Sequence, residues 1–149
     1  MIRGAAWLLI LVVGVLGVGC SKEALSLDAA GPVAYPAQVN APLERVAIML
    51  TITNRSSDDL QVNPADFVAR DLDHRVYAAN PTATVADAPL VRLATGARRE
   101  ALPLPTITLR QDEVLSGFIV FDVPAGVRPT ELIFRQSDSD RIVRLSAPR

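Results

Sequence analysis

The sequence predicts an all-β protein, an immunoglobulin-like antiparallel β-sandwich preceded by a helical signal segment and a flexible linker. Three observations carry that expectation. The stretch from Glu113 to Gly126, EVLSGFIVFDVPAG, puts Phe118, Val120 and Asp122 on one side of an extended chain and Ile119, Phe121 and Val123 on the other. A strand that is apolar over most of both faces belongs in the interior. From Arg45 onward, Val46, Ile48, Leu50 and Ile52 alternate with Ala47, Met49, Thr51 and Thr53, the two-residue period of a strand with one buried face. About seven or eight short strand-like stretches in all lie close together, with turn residues between them and no βαβ rhythm.

The first twenty residues, MIRGAAWLLILVVGVLGVGC, place Arg3 before a charge-free apolar run from Ala5 to Val18. The run is shorter than the ~20 apolar residues of a membrane span and ends in small residues, which is the pattern of a cleaved export signal over residues 1–19. Gly19-Cys20 resembles the lipobox of bacterial lipoproteins, which implies lipidation of the Cys20 thiol. Cys20 is the sole cysteine, so no internal disulfide is open to it. Several acyl chains on Cys20 would hold the protein to a bilayer where one would not. Ser21 after the cysteine resembles the pattern sorted to the outer membrane where the cell has two.

Loss of Arg3 with the signal leaves 15 − 1 = 14 Lys and Arg against 16 Asp and Glu, a net charge of −2. Nothing in that balance draws the protein to nucleic acid. The remaining chain is long enough for one domain with a real core. Residues 20–42, broken by Pro32, Pro36 and Pro42, are expected to be a lipid-anchored linker that contributes a short edge strand near Val33 to Val39, with Leu25, Leu27 and Tyr35 arguing that part of it docks on the domain. The sandwich is then expected over 43–149.

Within it, Asn54 to Asp59 supplies turn chemistry, Leu60 to Val62 a short apolar strand, and Asn63-Pro64 a kink that delivers Phe67 to the core. Phe67 to Asp71 and Arg75 to Ala79 form a hairpin whose turn, Asp71-Leu72-Asp73-His74, accepts positive φ at Asp73 or His74. Tyr77 points inward with its hydroxyl near an edge. Asn80 to Leu104, rich in proline and carrying Arg98-Arg99, is the least regular part, with a short strand or helical turn near Ala88 to Ala94. Thr106 to Leu109, Glu131 to Arg135 and Arg141 to Leu145 complete the strands, with Ile142 and either Val143 or Leu145 turned inward. Pro124 and Ala125-Gly126 end the central strand just after Val123.

Thr51-Ile52-Thr53-Asn54, the run from Leu60 to Phe67, Asp71-Leu72-Asp73 with Tyr77, and Gly117-Phe118-Ile119-Val120-Phe121-Asp122-Val123-Pro124 resemble a bacterial domain-of-unknown-function family of exported, immunoglobulin-like lipoproteins. The resemblance covers about residues 45–145 and implies a signal, a lipid cysteine, a linker and one sandwich. His74 stands where that family has glycine, and the insert after Tyr77 is longer. No common catalytic activity comes with it.

Chemistry is sparse. His74 is the only histidine, which excludes a histidine-pair metal site, and no G-x-S-x-G elbow accompanies Ser116. Asp71 and Asp73, like Asp138 and Asp140, are too few carboxylates for a calcium loop without its later glutamate, so turn chemistry is the better account and Asp71 and Asp73 are only weak metal candidates. Met49 sits among aliphatic residues as core filler, and Asn54-Arg55-Ser56 matches a sequon of little specificity. No catalytic grouping and no cofactor is expected. The favoured reading is a lipid-anchored, non-catalytic binding or envelope-interaction module, joined to the membrane through acylated Cys20, with Arg98 and Arg99 as loop candidates for contact with an envelope protein or glycan. The alternative is an exported metal or small-ligand carrier, which the shortage of His and Met ligands disfavours.

Overall fold

The computed structural model describes residues 24–40, 42–96 and 102–146. The expected signal segment over 1–19, Cys20, Arg98 and Arg99 lie outside the described residues. In chain order the elements are β1 (Leu25–Ala29), β2 (Val33–Tyr35), β3 (Leu43–Asn54), β4 (Leu60–Val62), β5 (Phe67–Arg70), β6 (Val76–Ala78), α1 (Pro81–Ala86), α2 (Ala88–Thr95), β7 (Ile107–Leu109), β8 (Val114–Pro124), β9 (Glu131–Arg135) and β10 (Asp140–Arg144).

The spine is the antiparallel ladder of β3 and β8, in register from Leu43 opposite Pro124 to Thr53 opposite Val114. Its alternation decides which side chains meet. Val46, Ile48, Leu50 and Ile52 of β3, with Ile119, Phe121 and Val123 of β8, face the second sheet, whose order is β10-β9-β5-β6. That sheet returns Phe67, Ala69, Leu132 and Phe134, and the Phe67 and Phe134 rings stack 4.6 Å apart. A separate two-stranded ribbon, β4 with β7, contributes Val62 and Leu109 to the same core. The result is an immunoglobulin-like antiparallel β-sandwich.

The other face of the ladder is also dry, for a different reason. Ala47, Phe118 and Val120 are covered by Ala83 of α1, Ala88 and Val91 of α2, and Tyr35 of β2. The apolar character of β8 on both sides therefore records two partners, a sheet on one side and a helical cap on the other. The free edge of β8 is occupied too, since Phe118 exchanges backbone hydrogen bonds with Leu102 and Leu104 at 3.0 Å each and Val120 accepts from the Asn80 N–H at 2.8 Å. A Cβ at Gly117 would stand 3.0 Å from the Leu102 carbonyl oxygen, so only glycine lets that segment approach.

Two expectations need correction. The linker expected over 20–42 is instead part of the sheet from Leu25: β1 pairs with residues 50–54 of β3 and β2 with residues 45–47. Buried Leu25 and Tyr35 hold these short strands down, while Pro32 between them breaks the period that would have marked them as strands. In the insert, the helical turn expected near Ala88 to Ala94 is present as α2, and α1 precedes it; each helix has a proline in its first turn, and Gly96 closes α2 at φ 64°. Ile142 faces outward and is 52% exposed, while Val143 and Leu145 are the partly buried residues. Pairing of Ile142 with Ile133 and of Val143 with Leu132 sets this phase, because Leu132 belongs to the core. The expected hairpin of β5 and β6 is present, and His74 takes the positive φ, 63°.

Candidate functional site

The weak metal candidates resolve into a turn clamp. Asp71 Oδ1 accepts the backbone N–H groups of Asp73 and Arg75 at 2.9 and 3.0 Å, and Oδ2 accepts the Tyr77 hydroxyl at 2.6 Å. Both oxygens are thus committed to the hairpin. Asp73 lies on the surface, 3.8 Å from Arg75. Among the described residues no three His, Cys, Asp or Glu side chains are grouped to hold a metal ion. The Tyr77 hydrogen bond, supported by the N–H groups of Arg75 and Asp73 and by the Arg75 charge, holds the Asp71 carboxyl below its ordinary value against the opposing effect of burial. The same bond, with burial, raises the Tyr77 hydroxyl.

A depressed carboxyl stabilises the fold above its unfolded pKa, and that contribution disappears as pH falls through the folded value. The difference in urea midpoint between the parent and Asp71→Asn should therefore be full at pH 7 and shrink once pH drops below 3.8, the ordinary value for this group. A difference constant down to pH 2 would contradict the clamp.

The larger polar cluster was missed at the sequence level. Arg45 of β3 donates from Nε to Asp122 Oδ1 at 3.0 Å and from a terminal nitrogen to Asp87 Oδ2 at 2.7 Å. Tyr35 donates its hydroxyl to the same Asp87 oxygen at 2.8 Å. Asn80 donates to Asp122 Oδ2 at 2.7 Å, while its own carbonyl oxygen caps α1 by accepting from the Ala83 N–H at 2.9 Å. Thr84 completes the seam: its hydroxyl oxygen accepts the Val120 N–H at 3.0 Å. Three strands and both helices are thereby stitched together through one guanidinium. Burial and the Asp87 hydrogen bond push the Tyr35 hydroxyl up strongly, so it stays protonated as a donor. Burial works against the charge of Arg45, and its bonds to Asp87 and Asp122 overcome that and raise it.

A signal for this cluster existed. Asp122 is the single charge on the face that also carries Phe118 and Val120, and a carboxylate there requires a cation across the ladder. Arg45 is its register partner. Asp87 carried no such mark, because it reaches the site only once the two helices fold. It sits at the N-cap of α2 but makes no capping bond, its carboxylate being spent on Tyr35 and Arg45.

The cluster fastens a cap. Outside the seam the cap exposes aliphatic side chains, Val85 at 67% and Leu93 at 80%, and Leu102 is 53% exposed where the chain returns to β8. Arg98 and Arg99 fall between Leu93 and Leu102 in sequence, outside the described residues. Asn54, the candidate sequon residue, is 1% exposed, and its amide donates to the Asp58 and Leu109 carbonyls while accepting from Ser56. It is a structural knot between β3 and two turns.

Residues 34–141 match the family model Domain of unknown function (DUF4352), well over half of the chain. The chain belongs to this family. No curated protein matches it. Among solved structures it is similar to MPT63, a secreted protein from Mycobacterium tuberculosis, at 19% identity and a TM-score of 0.52 over 80% of this chain and 82% of that one. It is also similar to a candidate lipoprotein, ycdA, from Bacillus subtilis, at 13% identity and a TM-score of 0.52 over 83% of this chain. The match spans 37% of the length of ycdA. The DUF4352 match starts inside β2 and ends inside β10, so it takes in both sheets and the helical cap and leaves β1 outside.

Proposed function

We propose that this DUF4352 protein is a lipid-anchored, non-catalytic extracytoplasmic module, held to a membrane by acylated Cys20, that offers its helical cap to another protein of the cell envelope. Export and anchoring are supported by the leader over 1–19 and Gly19-Cys20, and by similarity to MPT63, a secreted protein, and ycdA, a candidate lipoprotein. Ser21 favours the outer membrane in a cell that has two.

One observation carries the binding role. The cap is pinned to the sheet by the Arg45 bridge, yet Leu93 and Val85 remain largely exposed on it. Rigid elements with exposed aliphatic side chains suit a protein contact, since little order is lost on binding and apolar area is gained. A glycan-binding face is commonly built on aromatic side chains, and α1 and α2 contain none.

A photocrosslinking amino acid placed at Leu93 and, as a control, at Asp112 on the end of the sandwich should distinguish a binding face from bystander surface in intact cells. The Leu93 position is expected to give a discrete adduct that the Asp112 position does not. Identical adducts at both positions, or none at Leu93, would overturn the role of the cap. Mass spectrometry of the membrane fraction should find an acylated N-terminus at Cys20, and a soluble chain beginning elsewhere would overturn the anchor.

A further inference from the structure

The register of β1 fixes where the chain leaves the domain. Leu25 pairs with Asn54, and the Arg55 N–H donates to the Ala24 carbonyl at 2.9 Å, so residue 24 lies at the Asn54 end of the sandwich. The turn before β8 is at the same end, because Asp112 donates to the Asn54 carbonyl at 2.6 Å and Asn54 to that of Glu113 at 3.1 Å. The turn joining β9 to β10 is there as well: Asp59, Leu60 and Gln61 line one depression of about 500 Å³ together with Arg135, Gln136 and Ser137.

The other end is built from different pieces. Leu43 pairs with Pro124, and the Ala125 N–H donates to the Pro42 carbonyl at 2.8 Å. Thr130 donates to the Arg70 carbonyl at 2.8 Å, which brings the Asp71–Arg75 turn to this end. Between the two ends runs β3, 12 residues long, or roughly 40 Å at the ordinary rise of a strand.

Only Ser21, Lys22 and Glu23 separate Cys20 from Ala24. Four fully extended residues reach at most ~14 Å. A free linker to residue 42 would have let the domain tumble some tens of Å from its anchor. With β1 in the sheet that freedom is gone.

We infer that the Asn54 end of the sandwich faces the bilayer and rests against its headgroups, while the Asp71–Arg75 turn and the Pro124–Thr130 connection point away. The inference rests on the acylation of Cys20. The membrane-facing turns carry Asp58, Asp59, Asp112, Glu113 and Asp138 beside Arg55 and Arg110. Carrying so many charges, they stay at headgroup level and do not enter the hydrocarbon. The helical cap lies along the flank of the ladder, where a second envelope protein can reach it.

The test is energy transfer from the acylated protein to a lipid dye in phosphatidylcholine–phosphatidylglycerol vesicles. Single thiols are introduced by Ser57→Cys at the near end and Leu72→Cys at the far end, both at exposed turn positions. A diacylglyceryl group joined to the Cys20 sulfur forms a thioether, so only the introduced thiol takes the donor. Transfer from position 57 should be several-fold more efficient than from position 72. Equal transfer, or the reverse order, would overturn the orientation while leaving the anchor standing. Labelling of Cys20 itself would show an unacylated thiol and would overturn anchor and orientation together.

Discussion

Phe121→Ala is expected to cost about 3–5 kcal/mol of unfolding free energy, the largest loss from any single truncation along β8. Phe121 is fully buried and lies in the inter-sheet core with Val46, Ile48, Phe67 and Phe134. Both sheets are held by the long β3–β8 ladder and by close packing, so the walls of the resulting cavity have little room to collapse. Urea unfolding with an unchanged slope would read the loss directly. A change below about 1 kcal/mol would mean the ring is not enclosed.

The second large effect is expected at Arg45. Its removal by Arg45→Ala leaves Asp87 and Asp122 facing each other across the seam without their shared cation, and the Tyr35 hydroxyl then bonds an uncompensated carboxylate. Breaking a fully buried pair costs about 3–5 kcal/mol, but the Arg45 side chain is 20% exposed, so a loss of about 1.5–3 kcal/mol is expected. The damage should be local. Amides of α1 and α2 are expected to exchange faster with solvent than those of β3 and β8, because the cap loses its fastening while the sandwich core keeps its contacts. Adding Asp122→Asn should restore part of the stability by removing one of the two stranded charges. Uniform acceleration of exchange across both sheets would show that Arg45 supports the whole fold and not the cap.

These two residues illustrate what a linear pattern can and cannot reveal. The strands β3, β5, β8 and β9 were legible because alternation over several residues has one structural meaning when turns bound it. Phe67, Phe121 and Phe134 could be placed in the core for the same reason. The β1 segment was only half legible: Leu25 and Leu27 argued for docking, but five residues followed by Gly31-Pro32 carry too little period to separate a strand from a linker. Ile142 was misplaced because β10 alternates between charges and aliphatics on both phases, and only its pairing with Ile133 selects one.

The candidate surface shows the same division. Asp71 and its turn could be read from local chemistry, since every partner of its carboxylate lies within six residues. The Arg45 seam joins residues up to 77 apart, and its members become neighbours only when the insert folds as helices over the outer face of the ladder.

By itself the sequence determined the all-β class and the central strand, because hydrophobic period and turn residues act locally along the chain. The tertiary structure alone decided that the second face of that strand is covered by helices, that β1 draws the domain to within a few residues of Cys20, and which end of the sandwich the chain leaves. Those outcomes depend on pairings between distant segments, and their energy comes from surfaces that do not exist until the segments meet.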